Sequence, residues 1–144
     1  MTTLGDFANR MEQRANRLPQ AVSEVAASTA MVIVSDLAYS TPVDTSQALS
    51  SWIVSLDDPS VATVQGGYFT GSEGSTQDES AQQTIDAAQT VLTQKKPGQP
   101  IFITNNQPYI KRLNSGYSKQ APAGFVERSI LIARNALKRI RLNW

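Results

Sequence analysis

The spacing of apolar residues along the chain predicts helices separated by short polar segments. In the first helix, over residues 3–17, apolar side chains recur every three or four positions from Leu4 onward. Thr3 is placed to cap this helix, and Asp6 falls in its first turn, where a negative charge suits the helix dipole. Pro19 ends this helix or begins the next one. The pattern therefore predicts two separate N-terminal helices.

The second helix is predicted over residues 20–39, where Val22, Ile33 and Leu37 share one face. The β-branched cluster at 32–34 is also compatible with a buried strand. The periodicity of three and four residues continues on both sides of that cluster, which favours a helix.

Two more helices are predicted in the second half of the chain. The helix over 80–96 has one apolar face formed by Ala81, Ile85, Ala88 and Leu92. The helix over 123–140 has a stripe formed by Val126, Ile130, Ala133, Leu137 and Ile140. Basic residues occupy much of the remaining surface of that last helix, so we expect its apolar stripe to pack on the rest of the subunit.

Three short segments have the pattern of strands. Apolar and polar side chains alternate over residues 51–56, and Trp52 is one of the inward positions. Residues 57–60 have the composition of a turn. Residues 61–65 can return as the second strand of a hairpin, and 101–104 is a third β-rich run. The predicted fold class is α+β, with N-terminal helices and a C-terminal helix packed on a small, mostly antiparallel sheet. We expect one domain over 1–144, with a mobile loop at about 66–80.

The stretch 101–124 combines defined backbone geometry with little apolar content. Two asparagines break the strand at 105–106, and Pro108 suits the first turn of a short helix. Gly116 is placed to end that helix in a left-handed conformation, and Pro122 turns the chain into the last helix. We interpret the stretch as a positioned surface feature.

The chain has no cysteine and no histidine, and this limits its chemistry. Zinc sites and Ser-His-Asp or Cys-His nucleophile systems need those residues. No phosphate-binding glycine motif is present. The acidic pairs 57–58 and 78–79 have turn surroundings without the spacing of a calcium loop. We therefore predict no enzyme, and no catalytic residue, cofactor or metal.

Charge is unevenly placed, although the net charge is only +1. Residues 1–110 hold 5 basic and 11 acidic side chains, and residues 111–144 hold 8 basic and 1 acidic, which gives −6 and +7. Such asymmetry indicates a charged partner or self-complementary subunits. No apolar run approaches the roughly 18 residues that span a bilayer, and no signal peptide is visible, so no membrane partner is expected.

Two blocks resemble a known family. Residues 41–46 and 51–52, TPVDTS and SW, resemble the signature T-P-V-D-T-G…S-W. Residues 103–126, ITNNQPYIKRLNSGYSKQAPAGFV, resemble the block N-N-x-P-Y-x-x-R-L-E-x-G-x-S-x-Q-A-P-x-G-M-V. These patterns are similar to those of the neck, or tail-completion, proteins of tailed bacteriophages, which include the lambda-type minor tail protein Z. Ser46 replaces the usual glycine, Asn114 replaces the usual acid, and Gln47 and Leu49 stand where basic residues are frequent.

The resemblance implies a non-enzymatic α+β subunit that assembles as a ring, with six copies, at the junction of head and tail. Such rings surround the channel through which DNA leaves without sequence recognition. The implied partners are other copies of the chain and neighbouring neck, head-closure, tail-terminator or tail-tube proteins. The implied location is the virion, and the host cytoplasm during assembly. A tail terminator that caps the tail tube is an alternative, and a small nucleic-acid-binding module is another.

Candidate site residues follow from the second block. Tyrosine and arginine are enriched at interface cores, so we predict a ring interface formed by Tyr109, Arg112, Tyr117, Gln120 and Pro122. Lys111 and Lys119 are the candidates for lining the DNA channel. The alternative is that Tyr109 packs on its own sheet and that the basic side chains are solvated.

Overall fold

A computed structural model describes residues 2–42, 47–64, 75–116, 118, 119, 121 and 123–142. In chain order the described elements are α1 (Leu4–Ser40), α2 (Gln47–Ser50), β1 (Trp52–Leu56), α3 (Gln77–Leu92), β2 (Ile101–Asn105), α4 (Ile110–Asn114) and α5 (Phe125–Leu137). The predicted α+β class, with an N-terminal helix and a C-terminal helix, is confirmed.

The N-terminal part of the chain is one helix of 37 residues, not the two helices that the sequence predicted. Its first turn is closed by a capping box, in which the backbone N–H of Asp6 donates to Thr3 Oγ1 and the backbone N–H of Thr3 donates to the Asp6 carboxylate. Pro19 lies inside the helix. A proline removes one backbone hydrogen bond, but the apolar periodicity on both sides is continuous, and helix α1 runs through it.

The first part of α1 extends away from the rest of the subunit. Residues 4–20, which we call the arm, include no buried residue, whereas Ala21 and Ser23 are buried. At 1.5 Å per residue the arm is about 25 Å long. Pro19 therefore lies where the helix leaves the body of the fold.

The described sheet has two antiparallel strands, with Trp52 opposite Asn105 and Leu56 opposite Ile101. The third strand expected at 61–65 is wrong for residues 61–64, which have no strand structure. The Asn106 side-chain amide donates to the carbonyl oxygens of Ser60 and Ala62, at 2.8 and 2.9 Å. These carbonyls are held by a side chain instead of a β ladder.

The core lies between the C-terminal half of α1, the sheet, α3 and α5. Val34 and Leu37 of α1 are fully buried, and the predicted helix across 32–34 is confirmed. Trp52 is buried as expected, and its indole N–H donates to Thr41 Oγ1 at 2.8 Å. That hydrogen bond satisfies the one polar atom of a large apolar side chain inside the fold.

Two predicted helix boundaries shift. Helix α3 begins at Gln77 and ends at Leu92, rather than spanning 80–96. Its predicted apolar face is confirmed at Ala81, Ala88 and Leu92, all of which are buried. The predicted mobile loop at 66–80 lies outside the described residues from 66 to 74, and residues 77–80 form the first turn of α3.

Helix α5 spans Phe125–Leu137 rather than 123–140, and its buried face differs from the predicted stripe. The buried row is Phe125, Ser129 and Ala133, whereas Ile130 and Leu137 are exposed. Phe125 fills the core, and the small side chains at the next two positions of that row allow α5 to approach α1 closely. The Ser129 hydroxyl donates to Asp36 of α1, which fixes this rotation.

Glycine 116 gives a first test of the fold. Its φ is +89°, and a Cβ at this position would lie 3.1 Å from Ala123 Cβ. Gly98 has a φ of +84° but no atom within 4 Å of such a Cβ. We expect Gly98→Ala to lower the free energy of unfolding by about 1–2 kcal/mol through backbone strain alone. Gly116→Ala should cost more, because strain and crowding add, and chemical denaturation of both variants measures the difference. Equal losses would contradict the role assigned to the Ala123 contact.

Candidate subunit interface

The two blocks that carry the family resemblance lie against each other. Gln107 is buried and donates from Nε2 to Ser51 Oγ at 2.8 Å, while its Oε1 accepts from Gln47 Nε2 at 3.2 Å. Asn105 Nδ2 donates to the carbonyl oxygen of Ala48 at 2.8 Å. These three hydrogen bonds, which we call the polar junction, fasten the segment after β2 to helix α2 and the start of β1.

The sequence folds this way because Asn105 and Gln107 also organise their own backbone. Asn105 Oδ1 accepts from the backbone N–H of Gln107 at 3.1 Å, which is an Asx turn directly after the strand. The Gln107 carbonyl then accepts from the N–H of Ile110 at 3.1 Å and begins the turn into α4. The asparagines thus end the strand as predicted, and the following glutamine joins the two blocks, which the sequence reasoning missed.

Helix α4 is held on the core by its inward side chains. Ile110 and Leu113 pack against a cluster that includes the buried residues Leu37, Trp52 and Phe125. The predicted left-handed conformation at residue 116, described above, then reverses the chain after α4. The outward side of α4 is consequently presented at a fixed position.

Asn114 links the end of α4 to the start of α5. Its Oδ1 accepts from the backbone N–H of Val126 at 2.9 Å, and its Nδ2 donates to both oxygens of Glu127, at 3.0 and 2.9 Å. Gly124, the residue before α5, has no side chain to cap that helix, so Asn114 supplies the cap from another element. An acid at position 114 could accept from Val126 but could not donate to Glu127, which gives a physical reason for this departure from the family pattern.

Three predicted site residues lie around one surface pocket of about 560 Å³. Its lining is Pro108, Tyr109, Lys111, Arg112 and Ser115. Tyr109 is 38% exposed, and partial burial raises the pKa of its hydroxyl. Lys111 and Arg112 are exposed. The structure thus brings together Tyr109, Arg112 and Lys111.

The other predicted site residues are separate or undescribed. Lys119 is exposed in the loop after α4 and does not line this pocket. Tyr117, Gln120 and Pro122 lie outside the described residues. Ala121, between the last two, is buried in the same cluster as Trp52, so the loop is anchored at that point.

The pocket offers an aromatic ring, two hydroxyls and two cationic side chains, and no carboxylate of the described residues lines it. Such a surface suits contact with a polar or acidic partner surface. Within the described part of the chain, no group of three or more Asp, Glu, His or Cys side chains could hold a metal ion.

A second surface, on the outer side of α5, was not recognised from the sequence. Ile130 is 48% exposed, Leu131 55% and Ile132 40%. Three consecutive apolar residues in a helix project in three directions, so they cannot all face the core of one subunit. That run was the signal that could have identified the surface. Apolar side chains that remain exposed on a helix are available for contact with a partner.

One basic side chain of α5 makes its contacts within the chain. Arg128 Nη2 donates to Ser40 Oγ at 2.6 Å and lies 4.0 Å from the Asp36 carboxylate. This contact joins α5 to the end of α1. The ion pair is partly exposed, and it adds little to stability compared with the buried Phe125 beside it.

Comparisons of the chain with protein-family models, with curated proteins and with solved structures gave no match.

Helix α1 is long and apolar enough to cross a membrane by length and composition, with a mean hydropathy of 1.4 over its most apolar 18-residue window. Every window that begins at Arg14 or earlier contains more than two charged residues, so that window lies in the later part of α1, which supplies Val34 and Leu37 to the core. One third of that window is buried inside the fold.

The polar junction yields a stability prediction. Gln107→Ala removes a buried side chain that satisfies Ser51 and Gln47, and it should lower the free energy of unfolding by about 1–3 kcal/mol. Gln82→Ala is the matched control, because Gln82 is exposed and donates only to Asp86 in its own helix. The control should change stability by less than about 0.5 kcal/mol. Equal effects of the two substitutions in chemical denaturation would contradict the structural role of Gln107.

The link between Asn114 and Glu127 yields a pH prediction. Hydrogen bonds from Asn114 and then from the Glu127 backbone N–H lower the pKa of the Glu127 carboxyl below its ordinary value of 4.5. Because the pKa is lower in the folded state, the carboxylate contributes stability above pH 4.5, and this is lost as the pH falls through the folded value. The stability difference between the wild type and Glu127→Gln should therefore shrink between pH 6 and pH 3, as measured by urea denaturation. A difference that stays constant over this range would contradict it.

Proposed function

We propose that the chain is a structural subunit of the neck of a tailed bacteriophage, which forms a ring around the DNA channel and joins the tail to the head. The observation that carries the proposal is the polar junction. The two blocks that resemble the neck and tail-completion family are 50 residues or more apart in the sequence, yet Gln107 of the second donates to Ser51 of the first. Trp52 and Asn105, which both match the quoted patterns, lie opposite each other in the sheet, and this proximity supports the proposal.

The exposed apolar surface of α5 supports assembly. Ile130, Leu131 and Ile132 leave apolar area in contact with water in the isolated subunit. Covering such area with a neighbouring subunit is favourable by about 25 cal/mol for each Å² of apolar surface removed from water. The pocket at Tyr109 and Arg112 supplies the polar part of the proposed ring interface.

The charge distribution supports contacts between unlike surfaces of neighbouring copies. Helix α3 has an exposed acidic surface at Asp78, Glu79 and Asp86. The outer side of α5 is basic, with Arg134 and Lys138 exposed. A head-to-tail contact between an acidic and a basic surface repeats around a closed ring, which is the symmetry that the proposed function requires.

In the ring, Lys111 and Lys119 are the proposed channel residues, and DNA passes without sequence recognition. The channel must let DNA slide, so the lysines are expected to give weak, salt-sensitive attraction rather than tight binding. No cofactor, metal or catalytic residue takes part in this function.

A tail terminator that caps the tail tube would use the same kind of ring. Electron microscopy of virions that lack the protein distinguishes the two roles, because complete tails beside unjoined heads indicate the neck role.

The ring interface is tested by Tyr109→Ala. We expect this variant to lose rings in negative-stain electron microscopy and to sediment as a smaller species, while the melting temperature of the subunit changes little, because Tyr109 is 38% exposed. Tyr39→Ala is the matched control, since Tyr39 is a similarly exposed tyrosine on α1. Intact rings in Tyr109→Ala would remove Tyr109 from the interface. A wild-type monomer that binds duplex DNA tightly, with a steep salt dependence, would instead indicate a nucleic-acid-binding module.

A further inference from the structure

The arm of α1 has an apolar stripe that the described part of its own subunit leaves exposed, except at Leu18, which is half-buried. Leu4, Phe7, Met11 and Leu18 recur at steps of three, four and seven residues and share one face. Phe7 is 53% exposed and Met11 is 42% exposed. Helices in proteins owe most of their stability to the packing of an apolar face. The arm therefore requires a surface that covers this stripe.

The same chain has an empty apolar groove, which we call the α1 groove. It has a volume of about 500 Å³ and runs beside α1 where the helix packs on β2 and the end of α5. Its apolar lining includes Val22, Val25, Ile33, Ile101, Ile103 and Leu137. Among the described residues no charged side chain lines it, so the groove suits an apolar helix face better than a charged or strongly polar partner.

The arm cannot fill the groove of its own subunit. Phe7 and Val25 belong to the same helix, and their separation of 18 positions places them about 27 Å apart along its axis. The occupant must therefore come from another molecule. Val22, Val25 and Thr29 continue the steps of three and four residues that begin at Leu4, so the arm stripe and the α1 groove lie on one face of α1.

This shared face determines how two copies fit together. If two α1 helices lie antiparallel with these faces in contact, each arm lies on the α1 groove of the other copy. Half of the lateral surface of an arm about 25 Å long and 10 Å wide is about 400 Å². Each arm–groove contact then buries about 800 Å² in total, and two such contacts bury about 1,600 Å², the standard size of a specific interface. A single one-way contact would remain below the roughly 1,000 Å² that a stable interface needs.

We infer that two copies of the chain pair antiparallel along α1, with the arm of each in the α1 groove of the other. Centring the arm stripe on the groove places Phe7 of one copy near Thr29 of its partner and Leu18 near the two-fold axis. This pairing uses a different surface from the ring interface at Tyr109 and does not depend on the proposed function. In a protein that forms rings, this pairing would join either subunits of two different rings or two subunits of the same ring.

The first experiment places charge in the contact. Phe7→Glu combined with Met11→Glu should weaken self-association at least about 100-fold in Kd by sedimentation equilibrium, because two carboxylates would have to be buried without partners. Asn9→Glu combined with Gln13→Glu is the matched control, with the same spacing and charge on the opposite side of the arm. The control should associate like the wild type, and circular dichroism checks that both variants remain folded. Identical association of the two variants would overturn the pairing.

The second experiment tests the two-fold axis. The chain has no cysteine, so Leu18→Cys introduces one thiol, which should form a disulfide with the same residue of its partner under mild oxidation. Gln13→Cys, on the opposite side of the arm, should remain uncrosslinked. Absence of a crosslink at Leu18 would overturn the antiparallel arrangement. Self-association of Phe7→Glu with Met11→Glu equal to that of the wild type would overturn the pairing and leave the ring proposal standing, whereas a Leu18-crosslinked dimer without rings would support the pairing and contradict the ring.

Discussion

The structure depends on the burial of a two-stranded sheet by helix α1. Two strands alone are marginal in water, and they persist here because one face is covered by apolar side chains of a long helix. Val54 of β1 and Val34 of α1 belong to one buried cluster, and Trp52 and Leu37 belong to the next. Helix α3 and helix α5 then close the sides of this layer. Every other feature, including the surface of α4, takes its position from that contact.

The polar junction makes the arrangement specific. Apolar packing holds the layers together but tolerates small shifts, whereas a buried amide with two partners satisfies its hydrogen bonds in one geometry only. Gln107 reaches across to Ser51 and Gln47 and so sets where the chain leaves β2. The sequence indicated that the stretch after β2 is a positioned surface feature. The polar junction and the packing of Ile110 and Leu113 against the core hold it in place.

The sequence predicted elements well where a local pattern determines the result. The helix periodicity, the strand at 101–104, the left-handed glycine at 116 and the buried Trp52 all follow from local rules. It failed where two local signals conflict and where distant contacts decide. The length of α1 depended on whether Pro19 ended the helix, and a local rule gives no answer when periodicity continues on both sides. The rotation of α5 depended on the contact between Ser129 and Asp36, which are 93 residues apart.

The candidate site was predicted in part for the same reason. Tyr109, Lys111 and Arg112 are close in sequence and lie on one short helical turn, so their meeting at one pocket follows from local geometry. The exposed apolar surface of α5 was missed, since the sequence alone does not say which of several apolar positions faces inward. The run Ile130, Leu131 and Ile132 indicates the surface, because one face of a helix cannot accommodate three consecutive side chains.

Pro19 has a consequence for the order in which the molecule acquires its structure. Proline has no backbone N–H, so α1 lacks one hydrogen bond close to the point where the arm meets the body of the fold. The segment after Pro19 carries core side chains such as Val34 and Leu37. The segment before it contains no buried residue, and elongation from an existing helix avoids the cost of a new nucleus. The arm is therefore expected to form after the body of the fold, by extension of the helix that the core already holds.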